Sequence, residues 1–171
     1  LDPAIYAFWA TVQAEPDFLI DRVRKVPLDV NEWRRQREIY VSADTKDLPK
    51  LGFATFYLNR TNRSGVLNGG PIGGLNQTGD YKIDARFNRE GLEERLRILS
   101  LYSDNLVATS RDGVEVITEY AAKDDTFIYA DPPYFEKAGS LYLNAFAAEN
   151  HEALARVLNN VADSHWLLTY D

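Results

Sequence analysis

Eight of the ten glycines lie between Gly52 and Gly91, and the middle of that window reads Gly69-Gly70-Pro71-Ile72-Gly73-Gly74. Such a run cannot sustain a helix or a strand, because fixing glycine costs the most backbone freedom and buries no side chain in return. The chain must form a loop there that turns tightly or approaches something closely. Regular structure has to come from the two flanks.

The N-terminal flank is helical. Asp2 is placed to cap a helix that has Pro3 at its first position, and Ile5, Phe8, Trp9 and Val12 follow at helical spacing. Glu15-Pro16 opens a second helix carrying Phe18, Leu19 and Val23, and Asp29 caps a third through Trp33 and the Arg34-Arg35-Gln36-Arg37 cluster. Residues 51–60 read as a largely buried helix. Beyond the glycines, Asn88 caps an amphipathic helix with Leu92, Leu96, Leu99 and Leu101. The last third changes texture. Val114–Ile117, Thr126–Ala130 and Trp166–Tyr170 are predicted strands, and His151–Val161 is a predicted helix. Strands alternating with helices point to an α/β fold with a mostly parallel sheet.

At 171 residues the chain has room for one domain with a sizeable core and a small inserted subdomain. No apolar run approaches the ~20 residues that span a bilayer, and no signal-peptide pattern opens the chain. No membrane partner is therefore expected. Without cysteine there is neither a disulfide framework nor a thiolate metal site, so a cytoplasmic location is the expectation. Methionine is absent too, and a chain that opens Leu1-Asp2-Pro3 is expected to be a piece of a longer polypeptide. The net charge of −7 argues against a generally basic nucleic-acid binder. Residues 46–97 nevertheless carry a net +3 against −8 for residues 98–171, and phosphate binding answers to the local patch. An ordinary solvated face is the plainer reading of that contrast.

Asp131-Pro132-Pro133-Tyr134 directly follows the predicted strand ending at Ala130. In open α/β sheets ligands gather beyond the carboxyl ends of strands. A rigid strand-to-loop turn would explain the prolines alone. The chemistry adds more. An aromatic amine is a poor nucleophile because its lone pair is delocalised into the ring. A carboxylate (Asp131) and a backbone carbonyl (Pro132) can accept hydrogen bonds from its two N–H groups and stabilise the charge that develops during attack. Tyr134 offers a face on which an extruded base can stack. His151 reads as a helix-cap neighbour more readily than as a catalyst, and no Asp/Glu/His cluster has metal-ligand spacing.

Asp131-Pro132-Pro133-Tyr134 resembles the catalytic motif of amino-methyltransferases that use S-adenosylmethionine. Phe56-Tyr57-Leu58-Asn59-Arg60-Thr61-Asn62-Arg63-Ser64-Gly65 resembles a second hallmark, that of Dam-type adenine-specific DNA methyltransferases. Gly69–Gly74, Tyr81–Asn88, Tyr142–Leu154 and Leu168–Asp171 extend the similarity, in the family's order, over essentially the whole chain. The resemblance implies a Rossmann-like methyltransferase fold, with part of its sheet present and a mainly helical recognition insertion. Residues 1–20 and 112–171 would belong to the catalytic domain and 21–111 to the insertion. It implies methyl transfer from S-adenosylmethionine to a flipped adenine in double-stranded DNA, with no metal.

By the same resemblance Arg60 would bind phosphate, Arg63 and Ser64 would lie near the void left by the flipped base, and Asn68 would face base edges. Gln77 and Lys82 are further candidates for DNA contacts. Dam enzymes that read GATC carry arginine where Asn68 stands, so the recognition sequence stays open. Glu119 and Tyr120, at the end of the predicted 114–117 strand, would contact the donor's adenine. Asp2 lies close to where the acid that holds the donor's ribose is expected. The family's aromatic-x-Gly-x-Gly donor loop is not found in these residues, and the isolated chain is expected neither to bind the donor nor to methylate DNA. Two alternatives stay open: an amino-methyltransferase acting on cytosine or RNA, and an inactive DNA-binding remnant. In the family's sheet the catalytic strand does not neighbour the strand before it, so Thr126–Ala130 should pair with Trp166–Tyr170 and not with Val114–Ile117.

Overall fold

A computed structural model describes residues 2–132, 148–161 and 165–169. The chain folds as two compact units, Pro3–Thr109 and a second made of Leu1–Asp2 with Ser110–Asp171. The helices at Pro3–Ala14 and Pro16–Lys25 thus pack with the rest of the first unit.

The first unit is helical: α1 (Pro3–Ala14), α2 (Pro16–Lys25), α3 (Val30–Ser42), α4 (Leu48–Thr61) and α5 (Arg89–Ser100). Short polar side chains start three of them. Asp29 accepts from Glu32 N at 2.9 Å, Asp47 from Lys50 N at 3.1 Å and Asn88 from Gly91 N at 3.2 Å. Glu15 gives α2 no side-chain cap, and Pro16 begins that helix by its fixed φ instead. Of the α5 leucines, Leu92 and Leu96 are buried and Leu99 packs on the core. Leu101 lies past the helix end and is 79% exposed, so it is not on the stripe.

α4 is the centre of this unit and packs against α1 and α3. It buries Leu51, Phe53, Ala54, Tyr57 and Leu58. Gly52 lets α1 approach: a Cβ there would sit 2.6 Å from the Ala7 carbonyl oxygen. Glycine inside a helix costs about 1 kcal/mol against alanine, and here the close crossing requires it. Phe8 of α1 stacks on Phe56 of α4 with centroids 5.6 Å apart. Tyr57 and Phe56 in turn meet Phe87, which seats the chain just before α5.

The second unit contains α6 (Gly113–Ala121), β1 (Phe127–Ala130), α7 (Ala148–Asn160) and β2 (His165–Leu168). β1 and β2 pair in parallel, Phe127 opposite His165 and Ala130 opposite Leu168. The expected pairing of these two segments is found. α7 lies between them in sequence, as a parallel connection requires, and buries Leu154 and Leu158. His151 stands inside α7, which begins at Ala148, and does not open the helix.

The expected strand Val114–Ile117 is a helix. Asp112 accepts hydrogen bonds from Val114 N (2.9 Å) and Glu115 N (3.2 Å) and so starts α6. Val114, Ile117 and Ala121, spaced by three and four, are half-buried along one helical face, and Val116 is half-buried beside them. The β-branched residues suggested a strand, and the cap with the helical spacing outweighs that preference. The order expected for that strand in a sheet therefore falls away. Among the described residues no helix is long and apolar enough to cross a membrane.

Candidate functional site

In the helical unit the candidate residues gather where α4 runs out into the glycine-rich loop. Ile72 N donates to Thr61 O at 2.9 Å and Arg63 N to Gly70 O at 3.1 Å, so residues 61–72 close on themselves across an antiparallel bridge between Asn62 and Pro71. Asn62 is fully buried inside the closure. Its Nδ2 donates to Val66 O (2.8 Å) and Leu67 O (3.0 Å), and its Oδ1 accepts from Trp33 Nε1 at 2.7 Å. One carboxamide thus ties the loop to α3.

Arg63, Ser64 and Asn68 are exposed on this braced loop. Ser64 (φ 54°) and Gly65 (φ 75°) are consecutive left-handed residues, the conformation glycine takes at no steric cost and serine takes with strain. Arg37 of α3 reaches the loop, donating to Leu67 O at 2.7 Å and to Asn68 Oδ1 at 3.4 Å. That contact points Asn68 Nδ2 away from Arg37. Arg60 is half-buried, and its Nε donates to Asn59 Oδ1 at 3.1 Å. Burial first, and then the charges of Arg86 and Arg95, hold the Arg60 guanidinium below the ordinary arginine value.

Gln77 and Lys82 are occupied within the loop itself. Gln77 takes φ 50°, its Nε2 donates to Ile72 O (2.8 Å) and Gly74 O (2.6 Å), and its Oε1 accepts from Ile83 N (2.9 Å). Lys82 Nζ donates to Gln77 O and Gly79 O, both at 2.8 Å. Gln77 would have to give up these bonds to touch a base. Exposed Lys82 could turn outward more cheaply.

In the second unit Asp131 leaves the carboxyl end of β1, and Thr169 leaves that of β2. Thr169 N donates to Ala130 O at 3.0 Å, which carries the parallel register one residue past the strands. Thr169 Oγ1 donates to Asp131 Oδ1 at 2.7 Å. Among the described residues Asp131 Oδ2 accepts no hydrogen bond. Pro132 is half-buried beside it. Pro133 and Tyr134 lie outside the described residues, as does Phe146 of the following stretch.

Glu119 and Tyr120 stand on α6 and not at a strand end. Glu119 accepts from Arg111 Nη1 at 2.7 Å and lies 3.7 Å from Lys123 Nζ, and the Arg111 hydrogen bond chiefly holds its carboxyl below the usual range. Lys123 Nζ also sits 3.7 Å from the centre of the Tyr120 ring. Asp2 is buried directly before Pro3.

Asn62 and Thr169 are the residues that sequence reasoning passed over. Both lay within quoted motifs, but only their distant partners give them a role. Among the described residues no group of three or more His, Cys, Asp or Glu is placed to hold a metal ion. A family model for D12 class N6 adenine-specific DNA methyltransferases matches residues 1–170. No curated protein matches the chain.

Proposed function

The chain belongs to the D12 class N6 adenine-specific DNA methyltransferase family, and from that premise we propose that it methylates the exocyclic amine of an adenine turned out of duplex DNA, with S-adenosylmethionine as donor. The observation that carries the reading is the Asp131 carboxylate at the end of β1, fixed through Oδ1 by Thr169, with no partner on Oδ2 among the described residues. Two acceptors facing the amine, Asp131 Oδ2 and the Pro132 carbonyl, draw its hydrogens out of the ring plane. The nitrogen lone pair is then released from the ring and can attack the methyl, whose bond to sulfur would break with its electron pair leaving on a neutral thioether; the carboxylate stabilises the positive charge that grows on nitrogen until one N–H proton is lost to solvent. Asp131 held before the substrate arrives needs no reorganisation at that moment. Tyr134 stacks the extruded base.

A bound S-adenosylmethionine would supply an electrophilic methyl on a sulfonium. Glu119 is engaged by Arg111 and Lys123, and Tyr120 lies under Lys123, so either would have to give up these contacts to touch a donor. The proposal gives them no role. β1 and β2 are assigned to a Rossmann-like sheet, with 1–20 and 112–171 as the catalytic part and 21–111 as the recognition part. The net +3 of residues 46–97 supports DNA contact there. Arg63 and Ser64 reach into the void left by the base. Asn68, with its Oδ1 turned to Arg37, presents Nδ2 as a donor to a base edge. Gln77 serves by holding the loop, and Lys82 adds a phosphate contact.

The experiment is methyl transfer to duplex DNA by this chain joined to the family's aromatic-x-Gly-x-Gly donor loop, with the product nucleoside identified by mass. N6-methyladenine is the expected product, and Asp131→Ala should lower single-turnover methylation on the order of 100- to 1,000-fold. Methylation on cytosine, or a near wild-type rate in Asp131→Ala, would overturn the reading.

A further inference from the structure

Three of the four glycines in Gly69–Gly74 are accounted for inside the loop. A Cβ on Gly69 would stand 2.9 Å from Val66 O, one on Gly73 would stand 2.7 Å from Tyr81 O, and Gly74 takes φ 75°, where a side chain is strained. Gly70 has neither reason. Its φ lies outside the left-handed region, and among the described residues no atom beyond its chain neighbours comes within 4 Å of where its Cβ would be. Alanine at such a position ordinarily stabilises a protein, because glycine there only widens the unfolded ensemble. Gly70 also stands where the loop meets solvent. It is exposed, two residues from exposed Asn68, and its carbonyl accepts from the N–H of exposed Arg63 at 3.1 Å. Among the described residues no acceptor meets its own N–H. Gly69 before it carries no side chain, and Pro71 after it is buried. Backbone, not side chain, forms the surface at this point.

We propose that Gly70 is a contact point for the DNA backbone, where a phosphate closes on its Cα and accepts a hydrogen bond from its N–H. The space that a Cβ would fill is then the space that the phosphate occupies, which gives this glycine the reason that the fold does not. An N–H facing a charged oxygen makes a stronger hydrogen bond than one facing a neutral acceptor. Backbone N–H groups are among the donors that fix a protein's register on a duplex through its phosphates, and they carry no sequence information. Asn68 and Gly70 thus divide the work of the loop: the first meets a base edge, and the second sets how closely the loop lies on the duplex. The contact rests on the reading that this chain binds DNA. It adds to that reading a residue with no side chain, whose role is affinity on any sequence.

The test uses Gly70→Ala and Gly70→Leu in the full chain. Binding to fluorescein-labelled duplexes of two unrelated sequences is followed by anisotropy, and stability by urea unfolding. The urea midpoint of Gly70→Ala should equal or exceed that of the wild type. Its affinity should nevertheless fall about tenfold on both duplexes, the weight of one hydrogen bond to a charged oxygen, and Gly70→Leu should bind more weakly still. Wild-type affinity in both variants overturns the contact and leaves the methylation reading standing. A midpoint below wild type in Gly70→Ala also overturns it, since the fold itself would then need the glycine. An equal loss in the alanine and leucine variants overturns it as well, because freedom of the loop, rather than room for a phosphate, would explain the effect. A loss on one duplex only overturns the phosphate in favour of a base edge. Absence of any duplex binding by the wild type overturns the underlying reading, and the Gly70 contact with it.

Discussion

Asn62→Asp changes one atom of a fully buried side chain, and its cost can be worked from the bonds that atom makes. The aspartate keeps an acceptor for Trp33 Nε1, but both donations, to Val66 O and Leu67 O, are lost. Neither carbonyl is orphaned, because Val66 O also accepts from Gly69 N and Leu67 O from Arg37. Two hydrogen bonds at about 1 kcal/mol each set the floor of the penalty. An oxygen then faces two carbonyl oxygens, and a carboxylate is removed from water with the uncharged Trp33 Nε1 as its side-chain donor. That lifts the penalty to roughly 3–4 kcal/mol at neutral pH. Urea unfolding followed by far-UV circular dichroism reads it, since the helices dominate that signal. The pH dependence supplies an internal control. Burial raises the folded pKa of the new carboxyl above its unfolded value, so the protonated form is favoured in the fold. The destabilisation should therefore be full well above that folded pKa and shrink as pH falls toward 4. A loss below 1 kcal/mol at pH 7, or a penalty unchanged between pH 7 and pH 4, would refute the assignment of Asn62 as the loop's anchor.

Three further outcomes are expected. Gly52→Ala places a Cβ 2.6 Å from Ala7 O, so forcing α1 and α4 apart should cost about 1–3 kcal/mol in urea unfolding; a neutral or stabilising effect would contradict the close crossing. Thr169→Val removes the hydroxyl that holds Asp131, and losing one hydrogen bond of about 1–1.5 kcal/mol from the positioning of the acid should slow single-turnover methylation about tenfold with DNA affinity unchanged; unaltered turnover, or an equal loss of DNA affinity, would remove Thr169 from that role. Glu93 accepts from Arg24 first and from Arg97, which holds its carboxyl down at about 2; because the folded value is depressed, its contribution is present above the ordinary carboxylate range and is lost as pH falls toward 2, so the urea midpoint of Glu93→Gln should drop less than that of the wild type between pH 6 and pH 2.5.

Most of the helical unit was legible because its signals are local. Asp29 and Asn88 cap the helices they were expected to cap, and Val12, Leu92 and Leu96 of the expected stripes are buried, whereas Ile5, Phe8 and Trp9 are half-buried and Leu101 is exposed. Val114–Ile117 misled because three β-branched residues in four outvoted one aspartate two positions upstream, yet Asp112 holds two backbone N–H groups and starts a helix. Asp131 was legible from its tetrapeptide. The residues that organise the site were not, since their partners lie far away in sequence: Trp33 is 29 positions from Asn62, and Asp131 is 38 from Thr169. Gln77 was offered by the family resemblance as a candidate DNA contact, and its bonds within the loop were not legible. Its bonds to Ile72, Gly74 and Ile83 show that such a loop, lacking side chains of its own, recruits the nearest amide to hold its shape.

The closure at Thr61–Ile72 also bears on how a protein of this kind can change over generations. Strain introduced between residues 63 and 70 meets a backbone bridge before it reaches α4, and the buried Asn62 anchors the loop from within. Substitutions at exposed Arg63 and Ser64 are therefore insulated from the helical core, while Asn68 still touches Arg37 of α3. A lineage can vary what those positions touch while the scaffold drifts little. The loop behaves as an exchangeable cassette, whose two end-posts are held by the fold and whose tip is free to be rewritten.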